Sequence, residues 1–437
     1  MKNTRAGRFT ALLKHCVPFV AAVAVTTVAS LGFAGPARAA DSEQLKHGEY
    51  LARAADCIAC HTSNRSEPFA GGVPFNLPFG TIYSTNITPD STNGIGGLSD
   101  AEFISAVREG RSKDGKRLYP AMPYTSYTQM TDADILAIRA YLRTVAPIAK
   151  PAPANTLGFP FNQRWAMVFW NLFNFSSGRY QPDATKSVEW NRGAYLVGAL
   201  AHCQECHTPR NFMQGLSGKS LAGAQLGNWT AYNITPDRTA GIGGWSEAEL
   251  IAYLRDGAVP GKANAAGPMA EVVENSTRFL TPEDLKAMAV YLRSVPAHNA
   301  GETQPRFAYG SPIQSVNQIR NQALTVLGGG APADGRTLYN GNCASCHGWQ
   351  GNGVGGAAAG AYPSLLHNSA VGAATPDNLT MVVLHGVSRQ TNAGHVVMPD
   401  FADQLSDADV ATLVNFVSSQ FGNPAATTSA QKVSKMR

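Results

Sequence analysis

The sequence predicts an all-α protein built as three tandem domains joined by Pro- and Gly-rich loops and linkers. Three observations carry that expectation. A short cysteine and histidine motif recurs at near-equal spacing, each recurrence is followed by a capped amphipathic stripe, and no run shows sustained period-two alternation closed by hairpin turns. The 437 residues are 44% hydrophobic and 15% charged. That balance excludes a disordered or collagenous chain, and the sparse surface charge suits a protein that docks on a partner.

Residues 1–39 have the three-part pattern of a signal peptide: Lys2, Arg5, Arg8 and Lys14, an apolar run from Val17 to Phe33, and the small-residue site Ala37-Arg38-Ala39. The 35 basic residues exceed the 30 acidic ones by five, and those five (Lys2, Arg5, Arg8, Lys14, Arg38) all lie in this leader. The exported chain is expected to be balanced, which removes the case for nucleic-acid binding.

With Cys16 in the leader, six cysteines remain, in the runs Cys57-Ile58-Ala59-Cys60-His61, Cys203-Gln204-Glu205-Cys206-His207 and Cys343-Ala344-Ser345-Cys346-His347. This is the attachment pattern of c-type haem, and composition alone yields it by chance on the order of 0.003 times in such a chain. Two thiols add across the vinyl groups, and the next residue offers an imidazole to the iron. A structural zinc site wants four protein ligands, whereas each cluster offers three. The expected cofactors are three covalently bound haem c groups, with His61, His207 and His347 as proximal ligands.

The repeats extend beyond the motif. Asn86-Ile87-Thr88-Pro89-Asp90 recurs as Asn233-Ile234-Thr235-Pro236-Asp237, and Gly94-Ile95-Gly96-Gly97 as Gly241-Ile242-Gly243-Gly244. Each unit ends in a helix announced by a hydroxyl cap and an acid three residues on: Thr131 with Asp134, Thr281 with Asp284, Ser406 with Asp409. Before each haem motif stand a glycine (Gly48, Gly193, Gly335) and an aromatic (Tyr50, Tyr195, Tyr339). A glycine on a helix lets a second helix approach closely.

A low-spin carrier needs a second axial ligand. Met122, Met269 and Met398 each adjoin a proline and precede a closing helix, and a proline would stiffen the loop presenting the sulfur. Met130, Met288, and Met381 or His395 are the respective alternatives. Domain limits follow: leader 1–39, first domain 41–146, a linker with an aromatic segment 147–185, second domain 186–296, linker 297–328, third domain 329–422 and tail 423–437.

The first linker carries Phe159, Phe161, Trp165, Phe169, Trp170, Phe173 and Phe175. Its uncharged stretch is too short to span a bilayer. It reads either as an interfacial or docking helix or as the seam between the first two domains. The tail, with Lys432, Lys435 and Arg437, is expected to fray or to touch lipid weakly. Gly351-Asn352-Gly353-Val354-Gly355-Gly356 fits a dinucleotide fingerprint but follows no strand, and Asn86-Ile87-Thr88 fits a glycosylation sequon but recurs as a structural turn.

Together with Tyr119-Pro120-Ala121-Met122-Pro123-Tyr124, Cys206-His207-Thr208-Pro209-Arg210-Asn211 and Gly267-Pro268-Met269-Ala270-Glu271-Val272-Val273, these repeats resemble the triheme cytochrome c subunits of membrane-bound periplasmic dehydrogenases. The resemblance covers essentially the whole exported chain. It implies three class I cytochrome c-like domains and a non-catalytic relay. The donor would be the catalytic subunit of a quinoprotein, molybdenum or flavin dehydrogenase that oxidises an alcohol, aldehyde or sugar. The acceptor would be ubiquinone or a downstream oxidase, at the membrane surface on the periplasmic side. A stand-alone triheme carrier and a haem enzyme such as a peroxidase are the competing readings.

Overall fold

Two helices that cross at a glycine organise each repeat of the computed structural model, which describes residues 36–315, 334–354 and 362–437. The first repeat contains α1 (Pro36–Ala54), α2 (Cys57–His61), α3 (Asp100–Glu109), α4 (Tyr124–Tyr127) and the closing helix α5 (Asp132–Leu142), and its linker carries α6 (Met167–Asn174). The second contains α7 (Val188–Tyr195), continued by a π-helical turn Leu196–Leu200, then α8 (Gln204–His207), α9 (Glu247–Asp256), α10 (Gly267–Asn275) and the closing helix α11 (Pro282–Leu292). The third contains α12 (Gly335–Asn342), α13 (Ala344–His347), α14 (Asp377–His385) and the closing helix α15 (Asp407–Phe421), with α16 (Ala430–Ser434) in the tail. Most of the expected leader lies outside the described residues.

The crossing is enforced by backbone contact. A Cβ placed on Gly48 would lie 2.0 Å from the Ala137 carbonyl oxygen of α5, and one on Gly193 would lie 1.9 Å from the Ala287 carbonyl oxygen of α11. On Gly335 it would meet Phe416 Cβ of α15 at 2.4 Å. Each closing helix starts as its sequence indicates, with the Thr131, Thr281 and Ser406 hydroxyls accepting from the Asp134, Asp284 and Asp409 amides.

The chain is not wholly helical. Among the described residues, four two-stranded antiparallel hairpins pair β1 (Pro74–Leu77) with β2 (Gly80–Tyr83), β3 (Ala224–Leu226) with β4 (Trp229–Ala231), β5 (Ala258–Val259) with β6 (Ala263–Asn264), and β7 (Val387–Thr391) with β8 (Gly394–Met398). The first three are too short to show a period. In β7 the inward positions are the polar Arg389 and Thr391, so alternation is present but not as apolar against polar.

The first two repeats share one core, in which Leu51, Ile135, Leu196, Leu285 and Met288 are all essentially inaccessible, while the third packs its own around Tyr339, Leu384, Leu413 and Phe421. A reciprocal contact joins the first two. Tyr195 donates to Asp134 Oδ2 at 2.5 Å and accepts from the Thr131 amide at 3.2 Å. Tyr50 donates to Asp284 Oδ2 at 2.6 Å and accepts from the Thr281 amide at 3.2 Å. Each repeat's tyrosine thus holds the helix cap of the other, the pattern of an isologous interface. Tyr339 differs, bonding the Gly348 carbonyl of its own repeat at 2.6 Å.

The duplicated turn has a buried task. Asn86 Nδ2 donates to the carbonyls of Ile148 and Lys150, and Asn233 Nδ2 to that of His298, pinning the chain that leaves each closing helix. These asparagines are nearly inaccessible, so their amides serve the fold. The tail is docked rather than frayed: Val433 and Met436 enter the third core, Lys432 pairs with Asp377 at 2.5 Å, and Arg437 pairs with Asp407 at 2.9 Å. Ser42–Arg437 form one compact unit.

Gly193→Ala is expected to cost about 1–3 kcal/mol through overpacking at the crossing, read as a lowered Tm, and an unchanged Tm would refute the contact. Burial pushes the Asp284 carboxyl up, but Arg192 at 2.5 Å and Tyr50 overcome this and hold it below the ordinary carboxylate range. Its contribution is therefore present above that range and is lost as the pH falls through the depressed value. Between pH 6 and pH 3 the wild type is expected to lose more stability than D284N, whereas parallel profiles would remove the linkage.

Candidate haem sites

In the first repeat α1 ends at Ala54, and Asp56, with a left-handed φ of 51°, turns the chain into the cysteine motif. A cavity of about 360 Å³ follows, walled by Cys57, Cys60, His61 and Met122 together with apolar side chains such as Phe103, Leu118 and Ile138. Met130 is on the same wall, so both sulfurs proposed for this repeat face one space. Met122 stands in a turn braced by the aromatic segment: Tyr119 donates to the Phe161 carbonyl at 2.9 Å and Tyr124 to Asn171 at 2.7 Å.

The third repeat repeats the arrangement. A cavity of about 150 Å³ is walled by Cys343, Cys346, His347 and Met398, with Leu365, Leu379 and Phe401. Met398 ends strand β8. Of the alternatives, Met381 is packed in the third core, and His395 bonds Ser388 at 2.9 Å; neither lines this cavity. The wall is completed by Asn264, Ala265 and Ala266 of the second repeat.

In the second repeat Cys203 precedes α8, which carries Cys206 and His207. Met269 lies in the first turn of α10 and packs with Tyr253, Ala265, Ala270 and Val273. Its alternative Met288 is fully buried on α11 in the shared core.

The three histidines share one device. The Nδ1 atoms of His61, His207 and His347 lie 2.6, 2.6 and 2.8 Å from the carbonyl oxygens of Thr85, Tyr232 and Pro363. A carbonyl only accepts, so Nδ1 carries the proton and Nε2 keeps a free lone pair for a metal. Burial lowers the basicity of all three rings more than these bonds raise it, which keeps them neutral. Burial also pushes the Cys57, Cys60, Cys203 and Cys343 thiols up to about 12. At neutral pH they retain the S–H that adds across a vinyl group.

Thr85 and Tyr232 immediately precede the duplicated Asn-Ile-Thr turn, so the signal for these carbonyls was present in the repeat. Two other groups had no such signal: Asp56 is buried with Oδ1 unpartnered, and Arg389 is buried in the third cavity wall. His202, at the position equivalent to Asp56, shares its left-handed backbone with a φ of 37°.

The aromatic segment is largely open. Phe159, Trp165, Leu172 and Phe173 are 82%, 65%, 74% and 71% exposed. Only Met167 and Asn171 of α6 turn fully inward, and Trp170 donates to the Met213 carbonyl at 2.8 Å. The segment is therefore not a buried seam, although its inner row joins the first two repeats.

Two thiols, an imidazole with one nitrogen already fixed and a thioether sulfur, facing a common apolar cavity, fit haem c. The cytochrome c family model matches residues 45–146 and 332–421, which implies covalent haem c. The chain is 43% identical to the fructose dehydrogenase cytochrome subunit of Gluconobacter japonicus, over 90% of this chain and 82% of that protein. It is 38% identical to the cytochrome c subunit of the quinone alcohol dehydrogenase of Gluconobacter oxydans, over 92% and 84% of the two chains. It is also 38% identical to the gluconate 2-dehydrogenase cytochrome c subunit of Pantoea cypripedii, over 91% and 90%. With three cysteine–histidine sites on this scaffold and likeness along nearly its whole length, the chain belongs to the family of cytochrome c subunits of dehydrogenases.

Proposed function

We propose that the chain carries three covalently bound haem c groups and relays electrons from the catalytic subunit of a dehydrogenase towards ubiquinone or an oxidase. In this reading it is an electron-transfer subunit and not itself the catalyst, anchored at the periplasmic face of the cytoplasmic membrane after removal of its leader. The three domains span 41–146, 186–296 and 329–422, with axial pairs His61 and Met122, His207 and Met269, His347 and Met398. The observation that carries it is the convergence of two thiols, a tautomer-fixed imidazole and a methionine sulfur on one apolar cavity in the first and third repeats.

When bound, haem c supplies a one-electron couple between ferric and ferrous iron. The chain's own residues do the rest. Thr85, Tyr232 and Pro363 orient the imidazoles, the cavity walls limit access of water, and the proline-flanked methionines would offer the iron a sulfur at the position an enzyme leaves open. The sites are also contiguous. Cys60 lies within electrostatic reach of Cys206, and residues 264–266 of the second repeat wall the third cavity.

The open aromatic face supports contact with the membrane surface. Its outward row of Trp165, Val168, Phe169, Leu172 and Phe173 carries no charge. Arg164 beside it donates to the carbonyl of Arg117 in a loop that also bears Lys113, while the Arg111 and Lys116 of that loop pair with Glu109 at 3.6 Å and Asp114 at 2.5 Å. Aromatics flanked by cations suit an interface with anionic lipid. Among the described residues no helix is long and apolar enough to cross a membrane.

The purified protein is expected to hold three haems per polypeptide, and Met122→Leu, Met269→Leu and Met398→Leu are each expected to remove about a third of the far-red methionine–iron charge-transfer band. A variant that leaves the band whole eliminates that methionine as a ligand. In detergent extracts the chain is expected to co-purify with dehydrogenase activity, and a W165S/F169S double variant to weaken retention of the complex on membranes. A soluble monomer without associated dehydrogenase would remove the subunit reading, and unchanged retention would remove the lipid contact.

A further inference from the structure

Among the described residues, Arg389 is the one cation in the wall of the third cavity, alongside Cys343, Cys346, His347 and Met398. Its side chain points inward from β7 and is 2% exposed. One guanidinium N–H donates to the Ala265 carbonyl of the second repeat, while Nε, shielded from water, has no partner among the described residues. Among the described residues it forms no ion pair. Asp256, whose field it feels, is committed to Arg255 at 2.7 Å. The seat is built for it: Gly257 has a left-handed φ of 71°, and a Cβ there would lie 2.8 Å from Nε.

A guanidinium offers five donors and does not shed its proton in proteins. Buried with a single neutral acceptor, it is strongly disfavoured unless an anion completes the site. Haem c brings two carboxylates, its propionates, into this cavity. We propose that Arg389 binds a propionate of the third haem and ties it, through the Ala265 carbonyl, to the second repeat. The inference rests on the reading that the third repeat holds haem. A fixed positive charge in the wall of the site favours the ferrous state, so Arg389 raises the potential of this haem. Ala265 lies four residues before Met269, so the same side chain couples the third site to the segment presenting the second methionine.

Redox titration of the haem-loaded protein tests this, comparing wild type with R389Q and R389K after each is shown to carry three haems. R389Q is expected to lower one of the three midpoint potentials and leave the other two, and R389K, which keeps the charge without the fork, to move the same potential less. Three unchanged potentials in R389Q would overturn the proposal, as would equal shifts in the two variants, since packing rather than charge would then be responsible. Fewer than three haems in the wild type would instead overturn the third-haem reading itself. Should R389Q lose its third haem, reduced-minus-oxidised infrared spectra of R389K decide: a displaced propionate carboxylate band supports the contact, and an unmoved band overturns it.

Discussion

Everything in this protein hangs on a helix backbone lying directly against another helix backbone. At Gly48, Gly193 and Gly335 no side chain fits between the opening and the closing helix of a repeat. That crossing fixes where the opening helix ends. In all three repeats the cysteine motif begins within about ten residues of that glycine, so the thiols and imidazole enter at a set angle to the closing helix, which in the first repeat lines the cavity with Ile135, Ile138 and Leu142. A side chain at the glycine would separate the helices and widen the cavity, weakening the apolar burial that holds the histidines neutral.

The second requirement is orientation of the imidazoles, and it is met by main chain rather than side chain. A carbonyl acceptor cannot be titrated and does not rotate freely, so the tautomer is fixed over the whole range in which the fold persists. In the first two repeats the turn that directly follows this carbonyl anchors the exit from the closing helix through Asn86 and Asn233. Ligand geometry and chain path are thereby set by adjacent residues, in keeping with the exact duplication of the five-residue turn.

Much of this was legible in the sequence because it depends on local chemistry. The hydroxyl caps at Thr131, Thr281 and Ser406, the crossing glycines and the cysteine motifs are each decided within a few residues. What escaped was decided at long range or by exceptions to polarity. The Tyr50 to Asp284 contact joins positions 234 residues apart, and the β7 hairpin turns a charged arginine inward. The linkers hide a further repeat: Arg164-Trp165-Ala166 and Arg306-Phe307-Ala308 both form a single 3-10 turn. Each arginine lies over a tyrosine ring, Tyr119 at 4.8 Å and Tyr232 at 4.3 Å. Three residues are too few to stand out before the fold aligns them.

The exchanged tyrosines relate the first two repeats to one another, and the residue before the first cysteine is a place where their side chains differ. There one repeat carries a carboxylic acid, Asp56, and the other an imidazole, His202, on matching left-handed backbones. Burial pushes the Asp56 carboxyl up and lowers the basicity of the His202 ring, so both favour the uncharged form, and the two points differ in hydrogen-bonding chemistry rather than in fixed charge.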